Sequence, residues 1–409
     1  MSNNNNTPAT GSRGRFVLLL AFGAFALGLD AYVMAGLLPQ VADDVHASES
    51  SAGQMVTVFT LCYAVAAPVF AALLAGRSAK AVLACALTVF TLGNALTALA
   101  TGLPLLLVAR ALAGIGAGLY SPMAAATAAG LAGQERRGRS LALIMGGMSI
   151  GTIVGVPLGV LLAEHTGWRG TLWLITGLGL LALVGMTTLP TATAAAPPAL
   201  RERVRILADG RVGGIAVVSL LGGIASLGLY TYLAPFLTDA AHTTWTVGPM
   251  WAWGAGGVLG SLLIGRIVDR THRPFAIVAC ILALLTAAHL ALPVAAGSWA
   301  LAVPLVVWGA AGWALQVPQQ HQLIAAEPDQ APVVVALNSS AVYLGSAIGS
   351  ALGGTIMAAG LAPASLPYCT AALALLALVL HLTVVRRPGR GQATAAQEEA
   401  PGPSAPVSR

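Results

Sequence analysis

Twelve times along this chain of 409 residues an apolar stretch recurs that is long enough to carry a helix across a lipid bilayer, for which about 20 residues suffice. The stretches run 16–38, 52–75, 81–100, 105–130, 141–163 and 171–189 in the first half, and 213–237, 247–268, 275–294, 300–325, 333–361 and 366–385 in the second. In hydrocarbon every backbone N–H and C=O must find a partner inside the protein, and a helix supplies all of them itself. The pattern therefore predicts an all-α integral membrane protein. Charge agrees: only 8% of the chain is Asp, Glu, Lys or Arg, against about 25% in a soluble domain. So few charges cannot clothe a soluble core of this size. A soluble enzyme, a nucleic-acid binder and a disordered scaffold are excluded together.

Most connections are short, so neighbouring spans run antiparallel. The longest break, 190–212, holds Pro197, Pro198 and four arginines and divides the chain six spans from six. The expected organisation is a polar tail over 1–15, a six-helix bundle over 16–189, a linker over 190–212, a second bundle over 213–385 and a disordered tail over 386–409. With the N-terminus in the cytoplasm, 18 of the 20 basic residues fall on the inner side. Arg169 lies outside, Arg110 lies within a span, and Asp43, Asp44, Glu49, Glu164 and Asp239 occupy outer connections. Such one-sidedness places both ends in the cytoplasm and makes the net charge of +6 an orientation signal, with no nucleic acid implied.

No A-x-A-like cleavage site follows the first apolar run, so it reads as a retained span. The four cysteines are far apart inside apolar runs, with no CxxC and no flanking His, so neither a disulfide framework nor a metal site is expected, and no cofactor. Nineteen arginines against one lysine fit a GC-rich bacterial genome, which bears on the source alone; the expected location is a bacterial inner (plasma) membrane.

The halves repeat. Span two ends in Ala72-Leu-Leu-Ala-Gly76-Arg77-Ser-Ala-Lys80 and span eight in Gly265-Arg-Ile-Val-Asp269-Arg270-Thr-His-Arg273, at an offset of 193. Span five carries Gly147, Gly151, Gly155 and Gly159, and span eleven answers with Gly345, Gly349 and Gly353 at an offset of 198. Small residues at four-residue steps let membrane helices pack closely, but Pro157 within the first run removes a backbone hydrogen bond and permits a bend. Duplicated six-span units predict two bundles with a site between them.

These residues together resemble the major facilitator superfamily, in its twelve-span drug:proton antiporter branch. The segment 74–80 is similar to the family's cytoplasmic loop signature, with Gly76 in place of the usual acid and Ala72 and Ala79 in place of glycines; the copy at 265–273 keeps Asp269 and Arg270. The resemblance implies that Arg77, Lys80, Asp269 and Arg270 help hold a cytoplasmic gate. The segment 106–118 is similar to the intramembrane arginine motif around Arg110, with Ala113 at the usual glutamine. The segment 151–159 is similar to the antiporter motif, which implies a gating role for Gly151, Gly155, Pro157 and Gly159 and export by exchange. The segment 28–39, Gly-Leu-Asp-Ala-Tyr-Val-Met-Ala-Gly-Leu-Leu-Pro, resembles the first span of the amphenicol- and sugar-efflux subgroup. The implied fold is a pair of pseudo-symmetric six-helix bundles.

Away from the span ends only Asp30 and Arg110 carry formal charge. Each costs about 2.5–3.5 kcal/mol at mid-membrane on insertion scales, so such residues default to function. Asp30 is eight residues from the outer end of its span, roughly 12 Å deep, and Arg110 five residues in from the same side, roughly 8 Å. In the family's fold spans one and four both line the central cavity of the first bundle, so the resemblance implies an ion pair or near pair between them, with Asp30 as proton site and Arg110 as its permanently charged partner. The bland alternative is a static bridge that only fixes the bundle.

Tyr32, Met34, Tyr120, Tyr230, Trp308, Trp313, Gln316 and Asn338 sit on or near cavity helices and suit a broad pocket for a partly apolar ligand; the alternative for each is an interfacial belt or helix packing. His289 and His381 read as structural, and the run Gln319-Gln320-His321-Gln322 has no ready explanation. An ATP-driven pump needs a phosphate loop with GK[ST], and the one lysine, Lys80, is flanked by alanines. One intramembrane Asp is too few for an enzyme's metal site. The expectation is a proton-coupled exporter of a small, partly hydrophobic, amphenicol-like compound, acting as a monomer on protons and a small-molecule substrate in a lipid bilayer. A sugar or metabolite exporter is the alternative, and a non-transporting sensor or channel the one from a different class.

Overall fold

The computed structural model describes residues 10–73, 77–132, 137–189, 205, 208–243 and 246–385. Most of the linker, the tail over 386–409 and much of the N-terminal tail lie outside these residues. The first bundle holds α1 (Thr10–Asp44), α2 (Glu49–Leu73), α3 (Ala79–Ala98), α4 (Leu103–Ala132), α5 (Arg137–Ile150, continued through a π-helical turn at Gly151–Gly155 into Val156–Thr166) and α6 (Trp168–Met186). The second holds α7 (Gly210–Thr231, continued by Leu233–Ala240), α8 (Val247–Thr271), α9 (Pro274–Ala295), α10 (Ala302–Ala314, continued by Gln316–Ala326), α11 (Ala331–Ala358) and α12 (Leu366–Leu380, ending in a π-helical turn at His381–Val385). Among the described residues eleven of these are long and apolar enough to cross a membrane; α2 completes the twelve, with Glu49 at its first position as its only charge.

Several helices outrun the apolar stretches that announce them. α1 spans 35 residues because its hydrogen-bonded ladder continues past the hydrocarbon, where polar side chains are no obstacle. Three breaks refine the pattern: at Tyr232 in α7, at Leu315 in α10, and at the π-turn of α5. Pro157 stands just beyond that π-turn, which absorbs the hydrogen bond that the proline cannot make.

The glycine stripes explain how the bundles are built. In α5, a Cβ on Gly147 would strike the Ala21 carbonyl and one on Gly151 the Phe25 carbonyl, while Gly155 and Gly159 face the side chains of Leu29 and Val33. The stripe climbs α1 in four-residue steps. In α11, Gly345 and Gly349 meet the backbone of α7 at Leu220 and Ile224, and Gly353 meets the ring of Tyr232. The fifth helix of each half rides on the first, so the duplication read in sequence is a duplication of packing.

The bundles meet along three pairs of helices, α2 with α11, α5 with α8 and α1 with α7. At the end bearing Asp43, Asp44, Glu49 and Asp239, here the acidic end, the seam is closed. The Ser350 hydroxyl donates to the Gly53 carbonyl at 3.2 Å, and the Tyr232 hydroxyl donates to the Ser350 carbonyl at 2.7 Å. The contact of α5 with α8 runs through the π-turn and the Val156–Thr166 segment, on the acidic side of the bend. Met250 of α8 fills the space over Gly36 beside Val160.

Because the stripes carry the α1–α5 and α7–α11 contacts, Gly151→Leu and Gly349→Leu should each sharply reduce the yield of monodisperse protein, whereas Gly146→Leu, with open space at its Cβ, should not. Fluorescence-detected size-exclusion chromatography after detergent extraction checks the contrast.

Candidate functional site

Asp30 and Arg110 are in contact. Arg110 Nη1 donates to Asp30 Oδ1 at 2.7 Å, and the two side chains are 1% and 0% exposed for the arginine and the aspartate. A third residue closes the group: Asn94 Nδ2 donates to Asp30 Oδ2 at 3.2 Å, and Arg110 Nη1 also donates to Asn94 Oδ1 at 3.3 Å. Above the guanidinium lies the face of Phe59, its centroid 4.2 Å from Cζ.

Glycines of the arginine motif set up this arrangement. Gly93 abuts the backbone of Ala113, and Gly116 the backbone of Phe90. α3 and α4 therefore approach closely enough for the short Asn94 side chain to reach both charges. Gly114 and Gly118 face the Phe59 and Tyr63 carbonyls, which seats α2 against the same helix and lays the Phe59 ring over Arg110. The pair lies within the first bundle, walled by α2 and α3.

Across the bundle seam stands an aromatic cluster. Tyr32 of α1 is 5.9 Å from Tyr230, 5.9 Å from Trp313 and 6.3 Å from Trp253, centroid to centroid. Tyr230 and Trp253 approach to 4.2 Å, and Trp308 sits edge-on to Trp253 at 6.1 Å. The Trp308 indole N–H donates to Ser226 at 2.9 Å. Those of Trp253 and Trp313 are buried and have no protein partner among the described residues. Beside the cluster, Ala31, Tyr32, Thr60, Tyr230 and Tyr343 line a cavity of about 10 Å³, the space of roughly one water-sized sphere. Tyr63 of α2 and Tyr343 of α11 stack at 3.9 Å across the same seam.

Of the expected ligand residues, Tyr32, Tyr230, Trp308 and Trp313 are thus brought together. Met34 is fully buried and does not line the cavity. Tyr120 donates to the Leu20 carbonyl at 2.9 Å over Gly23 and fastens α4 to α1. Gln316 and Asn338 join a separate network towards the other, basic end. There Asn338 Nδ2 donates to Gln316 Oε1 at 2.9 Å, Ser219 donates to Asn338 Oδ1 at 2.6 Å, and Gln319 Nε2 donates to Ser219 at 3.2 Å. The buried Gln319 and Gln322 account for half of the glutamine-rich run: they face into the second bundle.

The expected gating residues divide. Lys80 Nζ donates to the Thr187 carbonyl at 2.6 Å and clips the start of α3 to the end of α6. Arg77, Asp269 and Arg270 are exposed and form no ion pair among the described residues. Gly151, Gly155 and Gly159 pack on α1, and Pro157 follows the π-turn. Arg169, the basic residue on the acidic side, pairs with Asp44 and donates to the Ala100 carbonyl at 2.7 Å. His381 Nε2 lies 2.9 Å from the Phe275 carbonyl, and His289 meets Trp308 edge-on at 5.3 Å.

Asn94, Phe59, Tyr63, Trp253 and Tyr343 escape the sequence reading. Asn94 has a signal, a lone amide in the middle of an apolar stretch; the aromatics have none that separates them from core.

A sequence profile described as Major Facilitator Superfamily matches residues 20–331. The inner membrane transport protein YdhP of Escherichia coli (strain K12) is 30% identical over 379 residues, covering 91% of this chain and 96% of that protein. A chloramphenicol resistance protein of Streptomyces lividans is 30% identical over 263 residues, covering 62% of this chain and 66% of that protein. Among solved structures, a bacterial homologue of the human lysosomal transporter Spinster, in an inward-facing and unoccupied conformation, superposes with a TM-score of 0.71 at 15% identity, covering 93% of this chain and 98% of that one.

The two halves of the ion pair should not be equally dispensable. Asp30→Ala strands a guanidinium that cannot neutralise itself, and should lose on the order of 3–5 kcal/mol of stability. Arg110→Ala leaves a carboxyl that can take up a proton, so its loss should be smaller. Thermal unfolding of the purified variants followed by tryptophan fluorescence tests the order, and the reverse order contradicts it.

Proposed function

Because this chain belongs to the major facilitator superfamily, we propose that it is a proton-coupled antiporter that exports a small, partly hydrophobic compound, an amphenicol-like antibiotic first among them, by alternating access. That it is a multi-pass membrane transporter follows from the family and the fold. The observation that carries the finer proposal is the fully buried Asp30–Arg110 pair.

A carboxylate held by a guanidinium away from water can exchange charge only by taking or releasing a proton. With Asp30 neutral, the attraction that holds α1 to α4 is lost, and the balance between cavity states changes. Asp30 and Tyr32 stand two residues apart on α1. One helix thus bears both the proton site and the first bundle's contribution to the aromatic cluster. Both termini are assigned to the cytoplasm from the basic residues gathered at the Arg77 and Arg270 end. On that assignment the closed acidic seam is the outward end of the transporter.

Tyr32, Tyr230, Trp253, Trp308 and Trp313 offer flat apolar faces to a ligand. The unpaired indole N–H groups of Trp253 and Trp313 offer donors, and a buried donor left unmade is costly. No acid stands among these five residues. An uncharged aryl compound bearing hydrogen-bond acceptors fits that chemistry, and the name of the Streptomyces relative agrees in kind. Export of a sugar or other endogenous metabolite is the second reading, favoured by the amide network of Gln316, Asn338, Ser219 and Gln319.

Asp30→Asn, which keeps an acceptor for Arg110, should fold, retain counterflow of labelled compound in proteoliposomes, and lose export driven by a pH gradient. Full gradient-driven export with unchanged pH dependence would remove the proposal. In an efflux-deficient host, expression should raise the inhibitory concentration of neutral aryl antibiotics. No change for any drug in the panel would move the assignment to metabolite export.

A further inference from the structure

We propose that Asn94 and Phe59 form a second seat for the Arg110 guanidinium, which holds its charge while Asp30 is neutral and so lets a buried ion pair switch. The proposal rests on the reading that Asp30 is the proton site.

The difficulty it resolves is physical. Arg110 is charged in every state and 1% exposed. A buried arginine that loses its carboxylate is an uncompensated charge in a membrane, which opposes protonation of Asp30. A pair of this kind would be locked unless the guanidinium had somewhere else to go.

The geometry supplies that place. Arg110 holds Asp30 through a single nitrogen, Nη1, in place of the two-pronged contact that makes arginine–carboxylate pairs strongest. The second oxygen of Asp30 is taken by Asn94 Nδ2. The same Nη1 already reaches Asn94 Oδ1 at 3.3 Å, and Nε has no hydrogen-bond partner among the described residues. An amide has both a donor and an acceptor end, so Asn94 can serve the carboxylate and the guanidinium alike. The Phe59 ring, 4.2 Å from Cζ, faces the charge with the negative side of its quadrupole. When Asp30 takes a proton, Arg110 has only to shift its weight from Asp30 towards Asn94 Oδ1 and the Phe59 face. Both seats are rigid, because Gly93 and Gly116 fix the α3–α4 approach and Gly114 fixes the α2–α4 approach.

The shift also has an outlet. Phe59 lies 6.3 Å from Tyr63, and Tyr63 stacks on Tyr343 of the second bundle. Movement of the guanidinium against Phe59 is thereby felt at the seam between bundles.

The titratable groups within the surrounding helices are the hydroxyls of Tyr32 on α1, two residues from Asp30, of Tyr63 on α2, beside Phe59, and of Tyr120 on α4, which is bonded to Leu20, and the thiols of Cys62 on α2, against Gly114, and of Cys85 on α3. Formal charges on those helices stand at their ends, as with Asp44 paired to Arg169, Glu49 on α2 and Lys80 on α3. Among the described residues, the hydrogen-bond partners of the Asp30 carboxylate are Arg110 and Asn94.

A substrate-free titration decides the matter. Infrared difference spectra of the full-length protein in lipid, recorded against pH, report the neutral carboxyl band that disappears in Asp30→Asn. If Asn94 only donates to the carboxylate, Asn94→Leu removes support from the charged form and moves the midpoint of that band to higher pH. If Asn94 is a seat for the guanidinium, the neutral form loses more, and the midpoint falls, by about one pH unit for a tenfold change in the equilibrium. Phe59→Leu should move it the same way and Phe59→Trp should not, which keeps the test intact if Asn94→Leu fails to fold. A rise in Asn94→Leu, or no movement in Phe59→Leu, overturns the second seat. A wild-type protein in which no Asp30 band appears at any pH overturns the proton-site reading itself, and the seat with it.

Discussion

A guanidinium cannot give up its charge, and this one lies in the middle of a membrane protein. Everything around Arg110 answers that constraint. One carboxylate, one amide and one aromatic face converge on it from three different helices, and the two that bring the amide and the ring, α3 and α2, meet α4 where glycines stand at the crossing. The small residues of the arginine motif are therefore not general lubricants of packing. Gly114 and Gly118 fit α2 and Gly116 fits α3, so the motif is the imprint on α4 of the two neighbours that complete the charge's surroundings.

Much of this was legible in the residues. Run length and one-sided arginines announce the helices and their alternation, because hydrocarbon thickness and membrane charge asymmetry act on composition directly. Asp30 and Arg110 stand out since nothing else charged occurs so deep in a span, and helical rise alone puts them at similar depth. Asn94 is harder: an uncharged amide in an apolar stretch is common enough to pass as packing, and its role depends on an α3–α4 distance that no single-helix pattern encodes. Tyr120 and Met34 show the converse. Their chemistry suits a cavity, but rotation about the helix axis turns Tyr120 towards Leu20 and buries Met34.

The duplication is faithful in packing and unfaithful in chemistry. Both fifth helices ride on first helices along glycine steps, yet only α5 breaks into a π-turn before Pro157, while α11 runs unbroken from Ala331 to Ala358. The first bundle holds the buried ion pair, and the second holds most of the aromatic cluster and a neutral amide network. Two copies of one scaffold have divided the labour, so that charge is managed on one side of the seam and apolar contact on the other.

The closed acidic end has a consequence for the electrical behaviour of the cycle. The contacts described there between the bundles are a hydroxyl on a carbonyl and side chains over glycines, while the nearest ion pair, Asp44 with Arg169, ties together helices of a single bundle. Among the described residues, those seam contacts carry no formal charge. The transmembrane potential, worth about 2.3 kcal/mol per elementary charge at 100 mV, therefore finds no charged contact to pull on there. On the proposed mechanism, the charge that can change inside the field is that of the carboxyl in the heart of the first bundle, beside its guanidinium.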